Sequence, residues 1–167
     1  FHGGLLGVVA ACIFYGRKHH FSPLAIGDIL GAVVPIGLFF GRIANFINGE
    51  LFGRVTIVPW AVIFPYGGGL PRHPSQIYDA LLEGLCLFAV MFFAAHNPAI
   101  RRRTGCLFGI FVTGYGICRF IVEFYREPDP QIGLIFQYFS LGQLLSLPMI
   151  LAGIFLICYA RKSKTAA

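Results

Sequence analysis

The stretch "LAIGDILGAVVPIGLFF" at residues 24–40 runs straight into "GRIANFINGELFGR" at 41–54. The first part is apolar enough to sit in lipid. The second carries Arg42, Asn45, Asn48, Glu50 and Arg54 within a few turns of chain. A spanning helix needs roughly 20 apolar residues, within a range of about 17–25, so residues 24–40 form a borderline span that ends in hydrogen-bonding groups. A polar feature is expected where that helix leaves the bilayer.

The rest of the chain has the same character. Its 167 residues are 57% hydrophobic and 12% charged, with a mean hydropathy of +0.75. Soluble domains carry about 25% charged residues, so the expected fold class is an all-α polytopic membrane protein, a single transmembrane domain over residues 1–167. About five transmembrane helices are expected, from apolar segments at Gly4–Tyr15, Leu24–Phe40, Ser75–Ala95, Leu107–Phe124 and Ser140–Ala160. Pro35 and Pro148 inside them are tolerated as kinks. The pairs Gly3/Gly7, Gly27/Gly31, Gly37/Gly41 and Gly105/Gly109 are candidate close-packing points, because lipid supplies no hydrophobic push between helices. The segment from Arg54 to Pro74, interrupted by Pro and Gly, reads as an irregular outer loop with strand-like pieces and Trp60 as an interface anchor. The chain shows no signal-peptide pattern and opens on "FHGGLLG" as though in mid-protein, so further helices are expected upstream. The five cysteines have neither CxxC nor metal-ligand spacing, and neither a metal nor a cofactor is expected.

The charges sort by position. Arg17 and Lys18, then Arg101, Arg102 and Arg103, then Arg161, Lys162 and Lys164 follow alternate segments and so share one side, cytoplasmic by the positive-inside rule. They are topology signals, which removes nucleic acid as a partner despite a net charge of +6. The C-terminus is then cytoplasmic. The other basic residues, Arg42, Arg54, Arg72, Arg119 and Arg126, are all arginines on the opposite side. Planar forks in place of point charges favour bidentate recognition of an oxyanion. Glu50, Asp79, Glu83, Glu123, Glu127 and Asp129 share that half.

Each candidate has a plainer alternative. Arg42 and Asn45 fit an anion site, or a helix exit with Arg42 reaching the headgroups. Arg119, Glu123 and Arg126, at i, i+4 and i+7, fit one functional helix face, or an ion pair that merely neutralises itself. His2 at the mouth of the first helix fits a base or a satisfied polar residue. His73 reads as a turn residue beside Pro74, His19 and His20 as solvated loop, and His96 as a partner of a helix C-terminus. Ser75 is the expected N-cap of the third helix, and Asp79 and Glu83 read as mainly structural, with salt bridges to the outer arginines as a second use.

Four motifs in order carry a resemblance: "FHGGLLG" at 1–7, "GRIANFINGELFG" at 41–53, "PRHPSQIYDALLEG" at 71–84 and "GYGICRFIVEFYREPD" at 114–129. Together they resemble the bacterial prolipoprotein diacylglyceryl transferases along nearly the whole chain. Ala44 stands where Gly is common and Asp79 where Glu is common. The resemblance implies a transferase of the inner membrane that moves the diacylglyceryl group of phosphatidylglycerol onto the lipobox cysteine of a prolipoprotein and releases glycerol phosphate. It implies functional roles for His2, Arg42, Asn45, Glu50, Gly53 and Arg119, with Asn48, Glu123 and Arg126 as secondary candidates. It also implies further helices upstream that contribute residues to the site. The chemistry then expected is a phosphate clamp from Arg42 and Arg119, Asn45 orienting the donor, His2 as base, and Glu50 orienting an arginine or holding the loop. A transporter or channel for an anionic lipid or phosphate is the rival reading. Inverted repeats or paired broken helices would support it, and none is visible in the sequence.

Overall fold

The computed structural model describes residues 2–128 and 139–162. The side chains of His2, Leu5 and Lys162, and residues Asp129 and Lys164, lie outside that description. Helices appear at all five apolar segments: α1 (His2–His19), α2 (Pro23–Asn48), α3 (Ser75–His96), α5 (Cys106–Val122) and α6 (Leu141–Lys162), with a short α4 (Pro98–Arg101) between α3 and α5. By length and composition, α2, α3 and α6 are long and apolar enough to cross a membrane, while α5 is a shorter apolar helix. Large apolar side chains are exposed along several of these helices, Ile29, Phe40, Phe93, Leu151 and Phe155 among them, as expected where lipid and not water is the solvent.

The second segment is longer than expected. α2 continues past Phe40 to Asn48, so Arg42, Asn45 and Asn48 lie on the helix and not in a turn beyond it. Gly49 ends it in the left-handed region (φ 69°), its N–H reaching the carbonyls of Asn45 and Phe46, a cap that favours a residue without Cβ. The Ser75 cap is a correction. Pro74 occupies the cap position, and the Ser75 hydroxyl donates to the Leu51 carbonyl instead.

Glycine sets the packing where it is used. Any Cβ on Gly27 or Gly31 would press on Phe108 or Phe111 of α5, and one on Gly109 would press on Ile157 and Gly153 of α6. Gly3, Gly7, Gly37 and Gly41 face open space, so two of the four expected pairs are not close-packing points among the described residues. α5 and α6 lie antiparallel, with Gly109 against Gly153 and Gly116 against Ile150. Asp28 of α2 accepts from the amides of Gly105 and Phe108 at 2.7 Å each, tying α2 to the first turn of α5. A small apolar core of Leu87, Met91, Ala94 and Leu107 joins α3 to α5. α1 packs only on α2 among the described residues.

The loop between α2 and α3 is ordered into a minimal sheet. β1 (Val62–Ile63) pairs antiparallel with β2 (Pro71–Arg72), and bridges join Val55 to Arg72 and Gly53 to Arg126. The loop is thereby sewn to the segment that follows α5. It sits at the end of the bundle remote from the basic runs, since α2, α3 and α5 alternate in direction.

Candidate functional site: an arginine and carboxylate cluster

Three arginines and three carboxylates meet at that end. Arg42, two turns before the end of α2, donates from Nη2 to Glu83 Oε2 at 3.0 Å, and its Nε lies 3.4 Å from Asp79 Oδ2. Arg119, in the last turn of α5, holds Nη1 3.8 Å from Asp79 Oδ1 and 3.9 Å from Glu83 Oε1. Its Nη2 lies 2.7 Å from Glu123 Oε2, a close ion pair without hydrogen-bond alignment. Arg126 Nη1 is 3.9 Å from Asp79 Oδ2. Arg42 and Arg119 therefore come from separate helices to one pair of carboxylates.

The depth order of the groups matters. Asp79 and Glu83 are 1% and 0% exposed and Glu123 is 5% exposed, whereas the arginine side chains keep 11–16%. The carboxylates form a buried floor and the guanidinium groups lie above it. Three charges of each sign make the cluster formally neutral, which is why it is tolerated in a low-dielectric place. The hydrogen bonding is incomplete nonetheless. Asp79 Oδ1, Glu83 Oε1, Glu123 Oε2 and Arg119 Nη1 are buried without a hydrogen-bond partner among the described residues. A guanidinium has five N–H donors, so most of the donor capacity of this trio is unused within the described residues. Burial first, and then the like charge of Arg119, hold the Arg126 guanidinium below its ordinary pKa, a cost that one more anion would offset.

The expected residues divide. Arg42, Arg119, Glu123 and Arg126 are brought together. Arg126 reaches the cluster past the end of α5, through the Gly53 bridge, and not from a continuous helix face as its spacing suggests. Asn45 lies one turn beyond Arg42, with Nδ2 3.5 Å from Glu50 Oε2. Glu50 makes no ion pair with an arginine among the described residues; its carbonyl accepts from the Gln76 side chain, so it helps hold the loop. Asn48 is exposed in the last turn of α2. Gly53 is buried where three backbones cross. A Cβ there would fall 2.5 Å from the Tyr125 carbonyl and 2.7 Å from His73, while its own N–H donates to the His73 carbonyl at 2.9 Å and its carbonyl accepts from Arg72. The geometry gives Gly53 a packing reason. α1 begins at His2, whose side chain is outside the description.

Arg54 and Arg72 are a different matter. Arg54 Nε donates to the Arg126 carbonyl at 3.0 Å; Arg72 donates to the carbonyls of Gly67 and Gly53 and to Glu127 Oε2 at 3.0 Å, and stacks over Phe52. They clasp the loop, which corrects the reading of all five outer arginines as oxyanion donors. Asp79 and Glu83 take the second use expected of them, salt bridges to the arginines, and Gln76, which its sequence context does not single out, is buried on the same face. His73 is more than a turn residue: its Nδ1 lies 3.1 Å from the Tyr78 hydroxyl, which also accepts from Trp60 Nε1 at 2.7 Å. His96 does bond the Phe92 carbonyl at the end of α3.

Comparison with known proteins agrees with the motifs. A family model described as prolipoprotein diacylglyceryl transferase matches residues 1–159. A phosphatidylglycerol–prolipoprotein diacylglyceryl transferase of Idiomarina loihiensis is 57% identical over 97% of this chain and 60% of its own length. Relatives of the same name from Rhodospirillum centenum and Rhodospirillum rubrum are 56% and 52% identical, over 96% and 100% of the chain and 59% and 61% of their own lengths. The chain thus spans about three fifths of these curated relatives. With the four motifs in order and the match running almost end to end, this chain belongs to the prolipoprotein diacylglyceryl transferase family.

Proposed function

We propose that this chain carries the outer catalytic end of an inner-membrane transferase. It moves the diacylglyceryl group of phosphatidylglycerol to the thiol of a lipobox cysteine in a prolipoprotein. The observation that carries this reading is the convergence of Arg42 and Arg119, from separate helices, on shared buried carboxylates with donor capacity left over. The names of the relatives supply donor and acceptor.

In the reaction, the cysteine sulfur attacks the terminal glyceryl carbon, a C–S bond forms and the C–O bond to phosphate breaks. The bonding pair leaves with the oxygen, and glycerol phosphate departs. Charge gathers on the leaving phosphate, so fixed donors aimed at it act mainly in the transition state. Arg42 and Arg119 are the clamp, Arg126 a third donor beside it, and Asn45 orients the glyceryl phosphate. The carboxylate floor holds the guanidinium groups in place before substrate arrives. A thiol with a pKa near 8.5 is mostly protonated at neutral pH, and its proton goes to a base, the role assigned to His2. Glu50 and Gly53 serve by shaping the loop. The basic runs at the other end support a cytoplasmic C-terminus and a periplasmic site. No cofactor is required, because the phosphate ester is the leaving group.

The test is mass spectrometry of a lipobox peptide incubated with phosphatidylglycerol and the intact membrane protein. The expected product is the diacylglyceryl adduct on cysteine. Arg42→Ala and Arg119→Ala should each lower turnover by about 10²–10³, or about 3–4 kcal/mol. Near-normal turnover in both variants would remove the clamp.

A further inference from the structure

α3 is not a uniform helix. Residues Ala80–Cys86 form a π turn inside it. Its buried stripe comprises Ser75, Gln76, Asp79, Ala80, Glu83, Gly84, Leu87, Met91 and Ala94, and within it Ser75, Asp79, Glu83, Leu87 and Met91 follow one another at steps of four, none more than 2% exposed. An α-helix turns about 100° per residue, so each step of four overshoots a full turn by about 40°. Over the whole series the overshoot would turn Met91 about 160° away from Ser75. A π turn is wound more widely, with i to i+5 bonds, and four of its residues fall short of a full turn. The π segment removes the drift. It lets one face of α3 present Asp79 and Glu83 to the arginines at the outer end and Leu87 and Met91 to α5 further in.

The π turn packs along α2, most tightly at Gly84. A Cβ on Gly84 would fall 2.7 Å from Phe39 Cβ, 2.8 Å from Phe39 Cα and 3.1 Å from its nitrogen. Two of those atoms are backbone, so no rotamer change relieves the clash and the helices must part. Arg42 lies one turn beyond Phe39 on α2, and Glu83 precedes Gly84 on α3. The contact therefore sets the interhelical distance next to the 3.0 Å bond from Arg42 to Glu83.

We propose that the π turn, seated through Gly84 on Phe39, is the positioning element of the cluster: it places Glu83, and through Glu83 it aims Arg42. Gly84 is a positioning residue that touches no substrate. The catalytic meaning of this placement rests on the function proposed above, but the placement itself does not.

The experiment is a double-mutant cycle of Arg42→Gln and Glu83→Gln, read as melting temperature in detergent with the intact protein. It is run in three backgrounds: unchanged, Gly84→Ala, and Gly109→Ala. Gly109→Ala makes an equally tight clash at the seam of α5 and α6, against Ile157 at 2.8 Å, away from the cluster. The expected result is coupling in the unchanged and Gly109→Ala proteins and its loss in Gly84→Ala. Turnover should fall alongside, by tenfold or more in Gly84→Ala with the KM for phosphatidylglycerol nearly constant, since a misplacement of about 1 Å costs on the order of 10² in rate. Coupling that survives Gly84→Ala, vanishes equally in Gly109→Ala, or is missing from the unchanged protein overturns the proposal. If Gly84→Ala does not assemble, Phe39→Gly, which opens the same crossing, is judged by the same criteria. An unchanged protein that makes no adduct would defeat the proposed function alone, because the melting cycle still decides the positioning.

Discussion

Two groups of arginines lie within a few turns of each other and are used in opposite ways. Arg54 and Arg72 spend their donors on backbone carbonyls and on Glu127, and they tie the outer loop to the chain after α5. Arg42, Arg119 and Arg126 face buried carboxylates at 2.7–3.9 Å, with one aligned hydrogen bond among them within the described residues. The first group is satisfied by neutral oxygens that any folded loop supplies. The second is neutralised but under-bonded. An arginine that completes its hydrogen bonds internally has a structural account; one that is charge-balanced with idle donors has room for a ligand.

The contrast can be broken most directly at Arg119. Arg119→Ala leaves Glu123 and the Asp79/Glu83 pair short of a partner, and the expected loss of stability is about 3–5 kcal/mol, measured by thermal unfolding in detergent. Gly53→Ala tests the join between the two regions. Overpacking against Tyr125 and His73 should cost about 1–3 kcal/mol and speed proteolytic cleavage within residues 54–70; an unchanged cleavage rate would mean the loop is held elsewhere. Arg72→Ala is expected to cost about 1–2 kcal/mol, because Glu127 is 42% exposed and solvent screens that pair. A loss as large as that of Arg119→Ala would erase the distinction.

The smallest effect is a pH dependence in the clasp region. Burial holds the His73 imidazole below its ordinary value of 6.5, so as pH falls the unfolded chain takes up the proton first. Stability of the loop is then present above about 6.5 and declines as pH drops through the imidazole range. Trp60, the single tryptophan in the chain, donates to the Tyr78 hydroxyl that His73 also contacts, so its fluorescence reports the change. His73→Phe should flatten the profile; a profile that stays the same would assign the dependence to another group.

Composition and periodicity were enough for the helical membrane fold, the positions of its five helices and the sorting of basic residues to one end, because lipid demands long apolar runs and leaves charge only at their edges. The motif at 41–53 and the face of Arg119 and Glu123 also marked the polar end without coordinates. Three things depended on tertiary structure. The division of the five outer arginines was decided by which oxygens the folded loop brought near Arg54 and Arg72. The rise of Asp79 and Glu83 from helix-end acids to the floor of the cluster needed α2 and α5 packed beside them. The π turn was hidden because a run of four-residue spacings is read along one helix, whereas the reason to keep those residues on one face lies in two neighbouring helices. Local sequence states which groups a segment can offer; the packing of other segments decides which of those groups are used up and which are left over.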